Sequence, residues 1–257
     1  MPGRLDQKRC LIIGGTSGLG LAAATRFLEE GARLVISGRS PEVVDWALAT
    51  LCAAVGFSCD ATDSAQVTKL FEQTLSALGG LDVLYHVAGM SGRRAGDGPL
   101  HECTDEGWQG TIDGNLRTTF LTNRAAVQQY LKQGQGGVIL NMASVLAFSP
   151  SPKHFDTCAY TASKGGIISL SRLAAARYAA DKIRINVIAP GLIDTPMATR
   201  AVSDPAIVEF LRTKQPLCGG PGRAEDCADA AVFLCSDEAR LITGVVLPVD
   251  GGWCISN

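Results

Sequence analysis

Tyr160-Thr161-Ala162-Ser163-Lys164 sets a phenol and an ammonium group four residues apart. On a helix, positions i and i+4 share a face, so both groups can reach one site. A free tyrosine titrates near ~10, too high for a ready base at neutral pH. A neighbouring cation favours the phenolate and lowers that value, which makes the phenol a general acid/base. By itself the spacing also describes a buried ring beside a surface lysine.

A second constellation is Gly14-Gly15-Thr16-Ser17-Gly18-Leu19-Gly20, between an apolar run and a helical pattern. Glycine permits a tight turn and lets a pyrophosphate approach the backbone. The helix that follows offers free N–H groups and a positive dipole end. Thr16 stands at the second glycine of G-x-G-x-x-G, so a purely structural turn is the competing reading.

Other candidates are thinner. His101 and Cys103 lack two further ligands for a metal, and no metal site is expected. His86 reads as packed or hydrogen-bonded near any nucleotide the glycine turn would hold. His154 lies in the stretch before Tyr160, where substrate contact is an option. Arg93 and Arg94 read as two solvated charges, with an anionic substrate as the alternative. Cys158 reads as inert packing or pocket lining, and Trp46 as packing.

These groups must be positioned by alternating strands and helices. Strands are expected at Cys10–Gly14, Leu34–Ser37, Phe57–Cys59, Asp82–Val87, Val138–Met142, Arg184–Ala189 and Val245–Val249. Helices are expected over Leu19–Glu30, from Ser40-Pro41-Glu42 to about Ala54, and from Asp63 to Leu78. Others follow from near Thr104 to Lys132, over Tyr160–Ala180 and over Glu225–Cys235. Ser40 before Pro41 is an N-cap followed by proline at the first helical position. Asp63-Ser64-Ala65-Gln66 resembles a capping box. Such alternation predicts an α/β fold, a doubly wound sheet of about seven parallel strands with helices on both faces. Two segments break the rhythm, at about 148–157 and 192–223, and long irregular segments in compact domains are commonly functional. One domain, 1–257, is the economical reading.

Composition narrows the function classes. The 257 residues carry 23 Lys+Arg against 25 Asp+Glu, a net charge of −2 with no basic stripe, so nucleic acid is not an expected partner. No apolar run approaches ~18 residues, so no membrane span is expected. The nine cysteines form no Cys-x-x-Cys pair and suit a reducing, cytoplasmic setting.

From Cys10 to Trp253 the chain resembles the short-chain dehydrogenase/reductase family. The resemblance rests on motifs in order: Gly14-x-x-x-Gly18-x-Gly20, Asp60, Val87-Ala88-Gly89, Asn115, Ser144, Tyr160-x-x-x-Lys164, Pro190-Gly191 with Thr195, and Val249-Asp250-Gly251-Gly252. It implies a catalytic tetrad of Asn115, Ser144, Tyr160 and Lys164. Tyr160 would exchange a proton with the substrate oxygen, and Lys164 would lower its pKa and hold the nicotinamide ribose. Ser144 would orient the carbonyl oxygen, and Asn115 would hold a water in a proton relay. The resemblance further implies cofactor contacts from Gly14, Thr16, Ser17, Gly18, Leu19 and Gly20 in the turn. Asp60 and Ala61 would lie near the adenine, Ala88 and Gly89 under the cofactor, and Pro190, Gly191, Ile193 and Thr195 at the nicotinamide. Ile13 and Val87 depart from the family pattern, at positions that brace the sheet and cofactor loop.

After the second strand an acid would favour NAD(H), whereas arginine accepts the 2′-phosphate of NADP(H). Here Gly38-Arg39-Ser40 offers a planar donor fork and a hydroxyl, so NADP(H) is expected, with NAD(H) as the alternative. The resemblance implies a homo-oligomer, tetramer or dimer, paired through the helices at about 105–132 and 160–180. It also implies a mobile substrate lid around Met197–Leu217. The expected function is interconversion of a ketone and a secondary alcohol, led by reduction of a 3-oxoacyl thioester. The alternatives are a sugar, polyol or cyclic alcohol dehydrogenase and a non-catalytic nucleotide-binding protein.

Overall fold

The inner strands are short runs rich in Val, Ile and Leu because both of their faces are covered, which demands continuous apolar sequence. The computed structural model describes residues 2–256. In chain order the elements begin β1 (Arg9–Ile13), α1 (Gly18–Glu29), β2 (Arg33–Gly38), α2 (Pro41–Thr50), β3 (Val55–Ser58), α3 (Ser64–Leu78) and β4 (Val83–His86). There follow α4 (Asp105–Ile112), α5 (Thr118–Gln133), β5 (Gly137–Met142), α6 (Cys158–Tyr178) and β6 (Ile183–Pro190). The chain finishes with α7 (Thr199–Val202), α8 (Pro205–Lys214), α9 (Ala224–Cys235) and β7 (Val246–Val249). Among the described residues no helix is long and apolar enough to cross a membrane.

The seven strands pair in parallel in the order β3-β2-β1-β4-β5-β6-β7. Successive crossovers leave β1 in opposite directions, so a crevice opens above the ends of β1 and β4, where such sheets bind ligands. Alternate strand residues feed two cores. Ile12, Ile36 and Tyr85 pack with Phe27 of α1 and Val232 of α9. Leu11, Val35 and Leu84 pack with Leu70 of α3 and Val127 of α5 on the opposite face.

Several boundaries differ from the sequence reading. The second helix ends at Thr50 rather than Ala54, because the chain must turn at Leu51–Ala54 for Val55 to pair with Val35. The third strand accordingly begins at Val55 rather than Phe57. Asp63 does cap α3, accepting from the Ala65 and Gln66 nitrogens. Gln66 completes no reciprocal box, because its Oε1 accepts from the Asp60 nitrogen instead. Trp46 is 61% exposed, and α2 packs through Val44 and Ala47.

The predicted long helix at 104–132 is broken by a π-helical turn over Asp113–Arg117. There the Asn115 carbonyl accepts from the Thr118 and Thr119 hydroxyls. The segment 192–223 is not irregular throughout, since it contains α7 and α8. Its two ends meet: Ile193 bridges Gly222, and the buried Gln215 amide bonds the Leu192 and Gly220 carbonyls. A small core of Val145, Ala201, Ile207, Leu211 and Trp253 fills the space beneath it.

Candidate active site

Tyr160 lies in the first turn of α6. The N-cap residue Thr157 makes no side-chain bond to that turn. Its orphan N–H groups are satisfied from far away in sequence: Asp97, on the loop after β4, accepts from the Ala159 nitrogen at 3.0 Å and the Tyr160 nitrogen at 2.9 Å. A buried carboxylate at a helix N-terminus is favourable for both hydrogen bonding and dipole reasons. Asp97 therefore fixes where the tyrosine begins. Sequence reasoning missed it, because the two partners are more than sixty residues apart and share no local motif.

Ser144 follows β5. That strand is locked by Asn141, whose amide exchanges hydrogen bonds with Asn123 of α5 at 2.8–2.9 Å and donates to the Ser171 hydroxyl of α6. The Ser144 hydroxyl accepts from the Leu146 nitrogen, and Ser144 lines the same cavity as Tyr160. One turn beyond Tyr160, the Lys164 ammonium donates to the Met142 carbonyl at 3.0 Å and lies 5.5 Å from the centre of the Tyr160 ring. Asn115, fully buried, exchanges two bonds with the Met90 backbone. The four tetrad positions are thus brought together by β5, α6 and the π-helical turn.

Burial holds the Tyr160 phenol above its usual range, and the nearby Ser144 hydroxyl only partly offsets this. Lys164 itself pays for the enclosure, since burial pushes its pKa down to about 8. His86 is packed as expected, between the Thr118 and Thr122 hydroxyls at 3.3 and 2.8 Å, and burial takes its pKa down to about 3.

Ser144, Tyr160 and Lys164 open onto a cavity of about 200 Å³. Gly89, Pro190, Gly191, Ile193 and Thr195 line the same cavity, and Leu146, Phe155, Met197 and Trp253 make much of its remaining wall apolar. Asn115 stands behind Gly89, where a Cβ would lie 2.7 Å from Asn115 Oδ1 and 3.3 Å from Lys164 Nζ. His154 is turned away, its ring 4.7 Å from that of Phe210. Cys158 joins Cys103 and Asp97 in a cluster whose ligand-type atoms lie within 4.8 Å of one another. Burial and the Cys103 contact raise the Cys158 thiol to about 11, and the Asp97 oxygens already serve α6. The cluster is thereby accounted for as a helix anchor.

The glycine turn fits a dinucleotide. Gly14 has φ +83°, and a Cβ there would lie 2.8 Å from the Ala88 nitrogen. A Cβ on Gly20 would run into the Gly14 carbonyl. At Ser17 the side chain makes no cap bond, and the first turn of α1 carries no acid, so its N–H groups face an anion site. Gly18 meets Thr195, and Gly38 meets the Thr16 side chain, which brings the start of the 192–223 segment and the end of β2 to the turn. Arg39 is exposed there, with no carboxylate partner within 4.0 Å among the described residues. Ser40, the N-cap residue of α2, makes no side-chain cap bond. Asp60 accepts from Thr62 through one oxygen, and Ala61 is buried beside it.

Comparison with known proteins agrees with this arrangement. Residues 14–254 match a family model described as enoyl-(acyl carrier protein) reductase. The chain is 36% identical to 2,5-dichloro-2,5-cyclohexadiene-1,4-diol dehydrogenase LinX of Sphingobium indicum, covering 99% of both chains. It is 34% identical to an NADP-dependent (R)-specific alcohol dehydrogenase of Lentilactobacillus kefiri, covering 98% of this chain and 99% of that one. Among solved structures, a short-chain type dehydrogenase/reductase from Mycobacterium ulcerans superposes with a TM-score of 0.91 at 28% identity, covering 98% of this chain and 92% of that one. The glycine turn, the grouped Asn, Ser, Tyr and Lys, and these matches lead to one conclusion: the chain belongs to the short-chain dehydrogenase/reductase family and is a nicotinamide-dependent oxidoreductase.

Proposed function

We propose that the protein interconverts a ketone and a secondary alcohol in this cavity, with NADP(H) preferred over NAD(H) and an apolar ring alcohol as the substrate class. The carrying observation is the convergence of Ser144, Tyr160 and Lys164 on one largely apolar cavity beside Gly89 and Gly191. A bound nicotinamide supplies or accepts the hydride there. Ser144 orients the substrate oxygen through its hydroxyl. Tyr160 gives that oxygen a proton in reduction and takes it in oxidation. Lys164 holds positive charge beside the phenol, which favours the deprotonated form when a proton has left. Asn115 keeps Met90 and the floor beneath Gly89 in place.

A ring alcohol is supported by the walls of Leu146, Phe155, Met197 and Trp253, and by the cyclic diol of the Sphingobium relative's name. A 3-oxoacyl thioester is the second reading, favoured by the description of the matched family model. Retention of all four tetrad positions argues against a non-catalytic role. The lid is assigned to 192–223 and the substrate loop to 148–157. Exposed Phe120 and Leu173 on α5 and α6 support pairing of these helices between copies, as a dimer or tetramer measurable by light scattering. The nine free thiols support a cytoplasmic location.

NADP(H) is supported by Arg39 beside the Thr16–Gly38 contact. Parallel titrations with NADPH and NADH test this. NADPH is expected to bind more tightly, and Arg39→Ala to weaken it by about 10–100-fold. Tighter binding of NADH by the unaltered protein would refute the preference.

A further inference from the structure

Two arginines enter the substrate side of the cavity without a counter-ion. Arg93, half-buried after β4, and Arg200, at the rim on α7, both line it together with Ser144 and Tyr160. Each donates once to the same carbonyl, that of His154, at 3.4 and 3.5 Å. A guanidinium has five N–H donors, so most of this capacity is unused. Among the described residues no carboxylate lies within 4.0 Å of either. Asp97 and Asp156 are in the vicinity, but Asp97 is engaged with α6.

Two like charges meeting at one carbonyl repel each other. Burial and the nearness of Arg200 both disfavour the charge on Arg93. Arginine stays charged nonetheless, so an anion placed between the guanidinium groups would stabilise the pair beyond what Asp97 and Asp156 supply. The cofactor's phosphates do not supply it. Their site is the α1 N-terminus, against Thr195, whereas the arginines lie against His154 in the segment leading to Tyr160. Arg94, its sequence neighbour, is exposed and does not line the cavity, which separates the two residues the sequence left equivalent.

We propose that Arg93 and Arg200 bind a carboxylate of the substrate, so that the enzyme acts on a ring hydroxy acid or oxo acid whose carboxylate is remote from the reacting carbon. This rests on the ketone–alcohol reading above. A planar guanidinium matches a carboxylate in a bidentate way, and the apolar wall receives the ring between the two polar ends.

The test compares 4-oxocyclohexanecarboxylate with its methyl ester as substrates, with saturating reduced cofactor. The acid is expected to have a kcat/KM about 10–100-fold higher, the range for charge-assisted hydrogen bonds. Arg93→Gln and Arg200→Gln are expected to bring the acid-to-ester ratio toward one while NADPH affinity stays within about 2-fold. A measurement free of folding effects uses the unaltered enzyme: cyclohexanecarboxylate should compete with the ketone at least about ten-fold better than cyclohexanecarboxamide. Equal kcat/KM for acid and ester, or turnover of the ester alone, overturns the proposal and leaves the dehydrogenase reading standing. A ratio unchanged in both variants, or a loss of NADPH affinity instead, overturns it too. Turnover of neither ketone with either cofactor overturns both readings.

Discussion

Replacing Lys164 by methionine should stabilise the protein at neutral pH while destroying its activity. Lys164 is 3% exposed, and its ammonium donates to the Met142 carbonyl. Burial lowers its pKa from 10.5 to about 8, so at pH 7 keeping the charge inside costs roughly 3 kcal/mol. Methionine fills similar space without that cost and loses one hydrogen bond worth about 1 kcal/mol. The net expectation is a variant more stable by about 2 kcal/mol at pH 7. The sign with pH follows from linkage. Between about 8 and 10.5 the unfolded chain binds the proton and the folded chain does not, so the wild type gains stability as pH rises. At pH 9.5 the cost has fallen to roughly 1 kcal/mol, and the variant's lead should shrink by about 2 kcal/mol. Urea unfolding of both proteins at pH 7 and pH 9.5, at one protein concentration, measures this. Cysteines and other tyrosines titrate in both chains and cancel in the difference. A lead that does not change with pH, or a wild type more stable at pH 7, would refute the reasoning.

Other consequences follow from neighbouring residues. Asp97→Ala removes the acceptor for two N–H groups at the start of α6, which should cost about 1–2 kcal/mol. It should also lower kcat by about ten-fold through misplacement of Tyr160, against little change in NADPH binding. His86, held neutral by burial with a pKa near about 3, makes the protein acid-sensitive. Its contribution is complete above the unfolded value of 6.5 and should fall by about 3 kcal/mol by pH 4.5, a slope that His86→Gln should flatten in acid unfolding curves.

The chemistry was legible where function uses local spacing. Tyr160 and Lys164 meet because four residues span one helical turn, and the glycine turn works because a strand runs straight into α1. The inner strands were legible because they are buried on both faces. Three things were not. The capping of α6 by Asp97 joins segments distant in the chain, so no local pattern records it. The π-helical turn at Asn115 depends on Thr118 and Thr119 bonding back to the Asn115 carbonyl, which helix periodicity does not reveal. Arg200 was unremarkable in sequence and gains meaning only beside Arg93.

The central claim is that Tyr160 carries the proton in a ketone–alcohol interconversion. Its most direct test is kcat/KM of Tyr160→Phe for a ketone that the parent reduces, with cofactor binding measured in parallel. The account predicts a fall of about 10²–10⁴-fold with cofactor still bound, the range for loss of a general acid. A phenylalanine variant that reduces the ketone as fast as the parent would contradict it.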